Sequence, residues 1–239
     1  MSFRTTVFCL LAALAAALFI RLGFWQITRL HEKQARNVAI AAQQHSAHVP
    51  MGALPRDTAA AHYRPSWVDG RFDYAHELVL TNRTHRGSPG VELLTPVRVA
   101  GSDTAVLVNR GWVYSADGST VDRSRWREGR GAADSASVTG YVELFTPDAG
   151  RTTLARDPRI VRHASRREIE ARLPYPVAPF YLVSVSDSVT SGHPVRHGPP
   201  VLDDGSHRSY AVQWFCFAAI ALGGAAAVVR RERRGADRA

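Results

Sequence analysis

Ten histidines are the side chains of this 239-residue chain best suited to chemistry, and His207 stands apart from the rest. It lies just before the uncharged stretch SYAVQWFCFAAIALGGAAAVV (Ser209–Val229). Tyr210 and Trp214 follow at i+3 and i+7, a spacing that a helix gathers onto one face. A neutral imidazole beside aromatic rings at a membrane surface can ligate haem iron. It can equally serve as an interfacial histidine that packs among those rings. The other histidines are less organised. His45 and His48 are three apart near an expected helix end, and His193 and His197 are four apart in a Pro/Gly loop. Neither pair has a third ligand at a metal-binding spacing, and there is no HExxH. They read as solvated surface side chains. No Gly-x-Ser-x-Gly elbow, P-loop or dinucleotide fingerprint is present. The expectation is a protein that is not an enzyme.

A second stretch with unusual content is VLVNRGWV (Val106–Val113), an apolar strand running into Asn-Arg-Gly and then Trp112. Asn109-Arg110-Gly111 suits a bulge, because Gly111 can take a positive φ. Two roles fit Arg110. It is either hydrogen-bonded to carbonyls or a carboxylate at a structural corner, or part of an Arg/Trp surface for a partner or a propionate.

The elements that would position these residues begin at the two ends. Thr5–Ile20 carries no charge. Arg21 can snorkel its guanidinium to the interface, so the first span is expected over residues 5–27 with the helix continuing to about 45. Pro50 and Pro55 then break it. Glu32 and Arg36 are spaced to pair at i,i+4. A cleaved signal peptide competes with the anchor, but Ile-Arg-Leu-Gly-Phe-Trp follows the apolar run where small residues would be needed. No Arg/Ser-rich transit segment precedes the span, which points to a bacterial rather than a mitochondrial origin. Trp25 suits the interface. The second span is expected over residues 207–229, followed by a basic tail over 230–239. Arg230, Arg231, Arg233, Arg234 and Arg238 against Glu232 and Asp237 form a positive-inside signature. That tail places the C-terminus in the cytoplasm, and two spans then place the N-terminus there too. The charges around the first span alone argue the other way, with Arg4 on one side and Arg21, Arg29, Lys33 and Arg36 on the other.

The net charge of +9 comes from 30 basic residues, of which Lys33 is the one lysine. An arginine habit without any nucleic-acid motif implies no nucleic-acid partner. Cys9 and Cys216 both fall in the apolar ends, at opposite depths of antiparallel spans, so no disulfide is expected. Between the spans, residues 50–206 read as an extracytoplasmic, β-rich α+β domain of mainly antiparallel strands. Candidate strands are Ser66–Phe72, Glu77–Asn82, Val91–Val99, Thr104–Tyr114, Ser137–Phe145 and Phe180–Ser186. Gly87-Ser88-Pro89-Gly90 and Gly101-Ser102-Asp103 read as hairpin turns. Ser115–Ala136 and Gly192–Pro200 read as loops. Ser165-Arg166-Arg167-Glu168 has capping-box spacing for one short helix, closed by Pro174.

Several of these stretches together resemble the surfeit locus protein 1 family of cytochrome c oxidase assembly factors. They are GFWQITR (Gly23–Arg29), HYRPSWVDGRFDYAHEL (His62–Leu78), SPGVELLTPVRV with VLVNRGWV, SVTGYVEL, and HRSYAVQWFCFA (His207–Ala218). They run in the family's order across almost the whole chain. The resemblance implies two transmembrane helices around an extracytoplasmic domain, and with the bacterial origin read above the membrane is expected to be a bacterial inner membrane. It implies a role in assembling a haem-copper oxidase, at the insertion of haem a into subunit I, with subunit I and haem a synthase as partners beside membrane lipid. A histidine opening the second helix is the family's expected haem ligand, and that position falls on His207. Tyr210 and Trp214 would then pack against a transiently held haem a. Arg110, Trp112, Trp25 and Gln26 would form a partner-facing or structural surface. A scaffold that binds oxidase subunits without any cofactor is the alternative.

Overall fold

The computed structural model describes residues 2–127, 135–148, 157–185 and 194–236. The chain runs α1 (Phe3–Gln44), β1 (Val49–Pro50), α2 (Thr58–Ala61), β2 (Pro65–Phe72), β3 (Leu78–His85), β4 (Ser88–Arg98), β5 (Ala105–Tyr114), β6 (Ser135–Leu144), β7 (Ile160–Val161), α3 (Arg166–Glu170), β8 (Phe180–Ser184) and α4 (His207–Ala236). It divides into two compact units. One holds residues 1–39 with 201–239, and the other holds residues 40–200.

In the first unit, α1 and α4 are both long and apolar enough to cross a membrane. They lie antiparallel. Ser2 N donates to the Glu232 carboxylate at one end, Phe19 stacks on Trp214 midway, and Gln26 meets His207 further along. Burial on these helices falls on small residues: Ala12, Ala16 and Gly23 on α1, and Ala211 and Ala218 on α4. Small side chains let two helix backbones approach closely. Gly23 has no room for more, since a Cβ there would lie 2.7 Å from the Phe215 ring. The large apolar side chains, including Leu10, Leu11, Leu14, Leu18, Ile220 and Leu222, point outward and are exposed. Glu32 pairs with Arg29 at 2.7 Å rather than with Arg36. Both spacings place the partners on neighbouring turns, and i,i+3 is the one realised.

The second unit is an eight-stranded mixed sheet in the order β1-β2-β6-β8-β5-β4-β3-β7. Long antiparallel ladders dominate, and β1–β2, β3–β7 and β5–β8 pair in parallel. A further pairing of β2 with β4, at Arg71–Arg98 and Phe72–Val97, closes β2, β6, β8, β5 and β4 into a ring. Gly70 permits the closure: a Cβ there would lie 2.4 Å from the Arg98 carbonyl oxygen. Strand alternation then sorts the core. Val68, Phe72, Val97, Val106, Val108, Val138, Val142, Phe180 and Leu182 form one buried cluster. The intervening residues Leu94, Ala105, Leu107, Tyr141, Tyr181 and Val183 form a second, with Ile169 of α3 and Val161 of β7. Both faces of β5 and β8 are therefore covered. This is why Ala105–Val108 and Phe180–Val183 are continuous apolar runs rather than alternating ones.

Each expected strand is present within three residues at its described ends, with Ser186 outside the described residues. Ser165 caps α3 by accepting from Glu168 N, as the capping-box spacing implies. The β3–β4 turn differs from expectation. It is Arg86-Gly87, both at positive φ, while Ser88, Pro89 and Gly90 belong to β4. Two central residues at positive φ match the right-handed twist of the hairpin. β1, β7, α2 and short 3-10 turns at Met51–Ala53, Tyr74–His76 and Arg123–Trp126 carried no sequence signal. The last of these interrupts the expected 115–136 loop, of which Ser135 and Ala136 belong to β6.

Candidate functional site

His207 is the first residue of α4, half-buried against α1. Its Nδ1 lies 2.8 Å from Gln26 Oε1. An amide oxygen only accepts, so the ring donates through Nδ1–H, and in a neutral ring the lone pair then sits on Nε2. That is the neutral tautomer in which imidazole binds a metal. A histidine bound through Nε2 typically has its other N–H held in this way, so the residues present fit an axial ligand of haem iron.

Trp214, two turns further along α4, faces the same way. It is half-buried, stacked on Phe19 of α1 at 5.7 Å and edge-on to Phe217 at 5.9 Å. Tyr210 is 47% exposed and stands off this contact. Of the three residues predicted to share a helix face, His207 and Trp214 therefore meet α1 and Tyr210 points away. Trp25 is exposed, with the Arg29 guanidinium 5.7 Å from its ring. Gln26 contacts His207 and is not part of an outward-facing surface with Trp25.

The segment before α4 is tied to α1. Lys33 Nζ meets Asp203 Oδ1, Gln34 Nε2 donates to Asp204 Oδ2 at 2.9 Å, and Asn37 Nδ2 donates to the Asp203 carbonyl at 2.7 Å. The hydrogen bond from Lys33, and then its charge, hold the Asp203 carboxyl below the ordinary carboxylate range. These contacts fix the angle at which His207 enters the helix. The sequence marked none of them, because the phase between two helices is not written in either one.

In the sheet unit, Arg110 is the extra residue of the predicted bulge. Leu93 pairs with Gly111 and Leu94 with Asn109, so the register steps over Arg110. Gly111 takes φ +121°, and its N–H donates to Asn109 Oδ1 at 3.0 Å. The Arg110 guanidinium is buried. Nη1 donates to Glu77 Oε2 at 2.9 Å, Nη2 donates to the Trp126 carbonyl, and the Tyr74 ring lies 5.1 Å away. Thr95 Oγ1 donates to the same Glu77 oxygen. Both charged side chains are 1% exposed. Arg110 thus occupies the structural corner and does not form a partner-facing surface. Trp112 is buried too, at 8% exposure, over Gly90 and beside His85.

The histidines expected to be solvated are partly engaged. His197 lies 3.8 Å from Glu92, and its ring is 5.3 Å from that of His85. Burial, then the nearby charges of His197 and Arg86, push the His85 imidazole below its ordinary value. His193 lies outside the described residues. Among the described residues no three His, Cys, Asp or Glu side chains converge as metal ligands. Cys9 and Cys216 are both free.

Known proteins are similar to this chain in sequence. A model of the SURF1 family matches residues 13–219. A SURF1-like protein of Drosophila melanogaster is 28% identical over 219 residues, 83% of this chain and 69% of the fly protein. Surfeit locus protein 1 of Mus musculus is 23% identical, over 81% of this chain and 66% of the mouse protein. The Homo sapiens protein of that name is 24% identical, over 81% and 68%. The chain thus spans about two thirds of the length of these three relatives. The family match runs from within α1 to within α4, so it takes in the whole sheet, the Arg110 corner and both members of the Gln26–His207 contact, and the chain belongs to the SURF1 family.

Proposed function

We propose that this protein is a membrane-anchored assembly factor for a haem-copper cytochrome c oxidase, and that it holds haem a at His207 while the group passes into subunit I. The observation that carries this reading is the state of His207. Its ring is oriented at the mouth of a two-helix pair, with Nδ1–H satisfied and Nε2 left to bind. Membrane insertion is supported by the two helices themselves. Their outward faces are continuous apolar surfaces far larger than a water-exposed surface sustains, and their contact face is built from small residues, as in lipid. The Arg230–Arg234 cluster favours a cytoplasmic C-terminus in a bacterial inner membrane, with the N-terminus beside it and the sheet unit outside the cytoplasm.

The protein works in this reading by binding rather than by catalysis. A haem brings redox-active iron, a flat apolar ring and two propionates. This chain would supply the imidazole that fixes the iron, the Phe19–Trp214 aromatic stack where α1 meets α4, and Arg208 next to the ligand as a partner for a propionate. Subunit I and haem a synthase are the partners such a carrier needs, as recipient and source.

The test is a visible absorption spectrum of the detergent-purified full chain, co-expressed with haem a synthase, for wild type and His207→Ala. A Soret and an α band in wild type, lost in a His207→Ala protein of unchanged far-UV circular dichroism, are the expected result. No haem in either protein would overturn the carrier role and leave a scaffold.

A further inference from the structure

We infer that Gln26 is the positioning residue for His207, setting its tautomer and ring orientation so that Nε2 faces the ligand. The inference rests on the reading of His207 as an axial ligand and adds to it a residue on the other helix. Three observations lead to it. The side chains of Gln26 and His207 are 181 positions apart in sequence, and they meet at 2.8 Å through the one ring nitrogen that a ligand would not use. Both are half-buried, so water competes weakly for that contact. Both are held from either side by contacts that leave little freedom. On one side Phe24 and Gly23 pack on Phe215, and on the other Lys33 and Asn37 hold Asp203.

An isolated histidine populates both neutral tautomers and rotates about its side-chain bonds. An acceptor fixed opposite Nδ1 selects the Nδ1–H form and one ring orientation. Preorganisation of this kind raises affinity by lowering the ordering cost of binding. The acceptor also sets how strongly the ring donates electrons. A neutral amide is a modest acceptor, and a carboxylate in its place would draw the proton further and make Nε2 the stronger donor. The bond also joins the two helices, so loading the ligand and pairing the helices become coupled events.

The test uses the detergent-purified full chain with Gln26→Ala, Gln26→Glu and His207→Ala. In haem-free wild-type protein, nitrogen-15 chemical shifts of the His207 ring should report the Nδ1–H tautomer, and Gln26→Ala should shift it toward Nε2–H. With haem a supplied by co-expressed synthase, Gln26→Ala should weaken retention by roughly 10–100-fold. Gln26→Glu should restore it and lower the reduction potential below that of wild type. A purely structural glutamine would leave the His207 tautomer unchanged in Gln26→Ala. If wild type retains haem and His207→Ala loses it, while both Gln26 variants match wild type in retention and potential, this inference fails and the carrier reading stands. If wild type retains none, the carrier reading fails and the positioning role of Gln26 toward a haem ligand fails with it. The ring shifts would then still report whether Gln26 holds His207.

Discussion

At the scale of single residues, the Arg110–Glu77 pair is an ion pair with both side chains buried in the sheet unit. Each charge is removed from water, so each depends on the other and on the Thr95 hydroxyl and the Trp126 carbonyl. A buried pair is weak evidence of net stabilisation, but breaking it strands a charge. Arg110→Ala should cost about 3–5 kcal/mol, read as a lower denaturation midpoint of the detergent-purified chain. The double variant Arg110→Met with Glu77→Leu should lose less than either Arg110→Ala or Glu77→Ala alone. Equal losses in all three would mean the charges are not coupled. The sequence showed half of this corner. Asn109-Arg110-Gly111 announced a bulge through its glycine, and left Arg110 open between a structural corner and a partner-facing surface. Glu77 went unnoticed, because a carboxylate 33 positions upstream obeys no spacing rule. His207 drew notice for its place alone: it sits at the boundary of an apolar run, where a polar ring needs an explanation. Its partner Gln26 was legible only as a letter in a motif.

At the scale of elements, the two long helices and the principal strands followed from local pattern, and their partners did not. β1 and β7 are two residues each, too short for periodicity, and exist because a neighbouring edge offers hydrogen bonds. The ring closure of β2 on β4 depends on Gly70, whose role appears only when Arg98 is brought opposite. Gly90 shows the same logic. It was read as part of a turn, yet it lies within β4 beneath the Trp112 indole. A Cβ at Gly90 would lie 2.3 Å from Trp112 Nε1 and 2.4 Å from the Val113 carbonyl oxygen. The backbone oxygen cannot yield, so the strand or the indole must shift. Gly90→Ala should lower the thermal midpoint, by about 1–3 kcal/mol of overpacking, and move tryptophan emission to longer wavelength as Trp112 gains water. Gly52→Ala, where nothing lies within 4 Å, should change neither. Unchanged emission in Gly90→Ala would place the indole elsewhere.

At the scale of the whole molecule, the helix pair and the charge pattern constrain membrane topology independently. An antiparallel pair that spans a bilayer returns both ends to one side, whichever side that is. The contact of Ser2 with Glu232 makes this a structural demand rather than a matter of charge counting. In the topology proposed above, the arginine cluster favours the cytoplasm and is weighed above the opposing charges around α1, because a long intervening segment translocates largely regardless of charge. Both arguments can be checked together in a bacterial inner membrane. In a chain freed of cysteine by Cys9→Ala and Cys216→Ala, single thiols can be placed at Ser2→Cys, Gly235→Cys and Ala116→Cys. A membrane-impermeant maleimide should label Ala116→Cys in intact cells and reach the other two only after the inner membrane is opened. Ser2→Cys and Gly235→Cys on opposite sides would break the antiparallel pair, and with it the meeting of Gln26 and His207. All three on one side would mean that the helices do not cross, and the apolar sheath of α1 and α4 would need a protein partner instead of lipid.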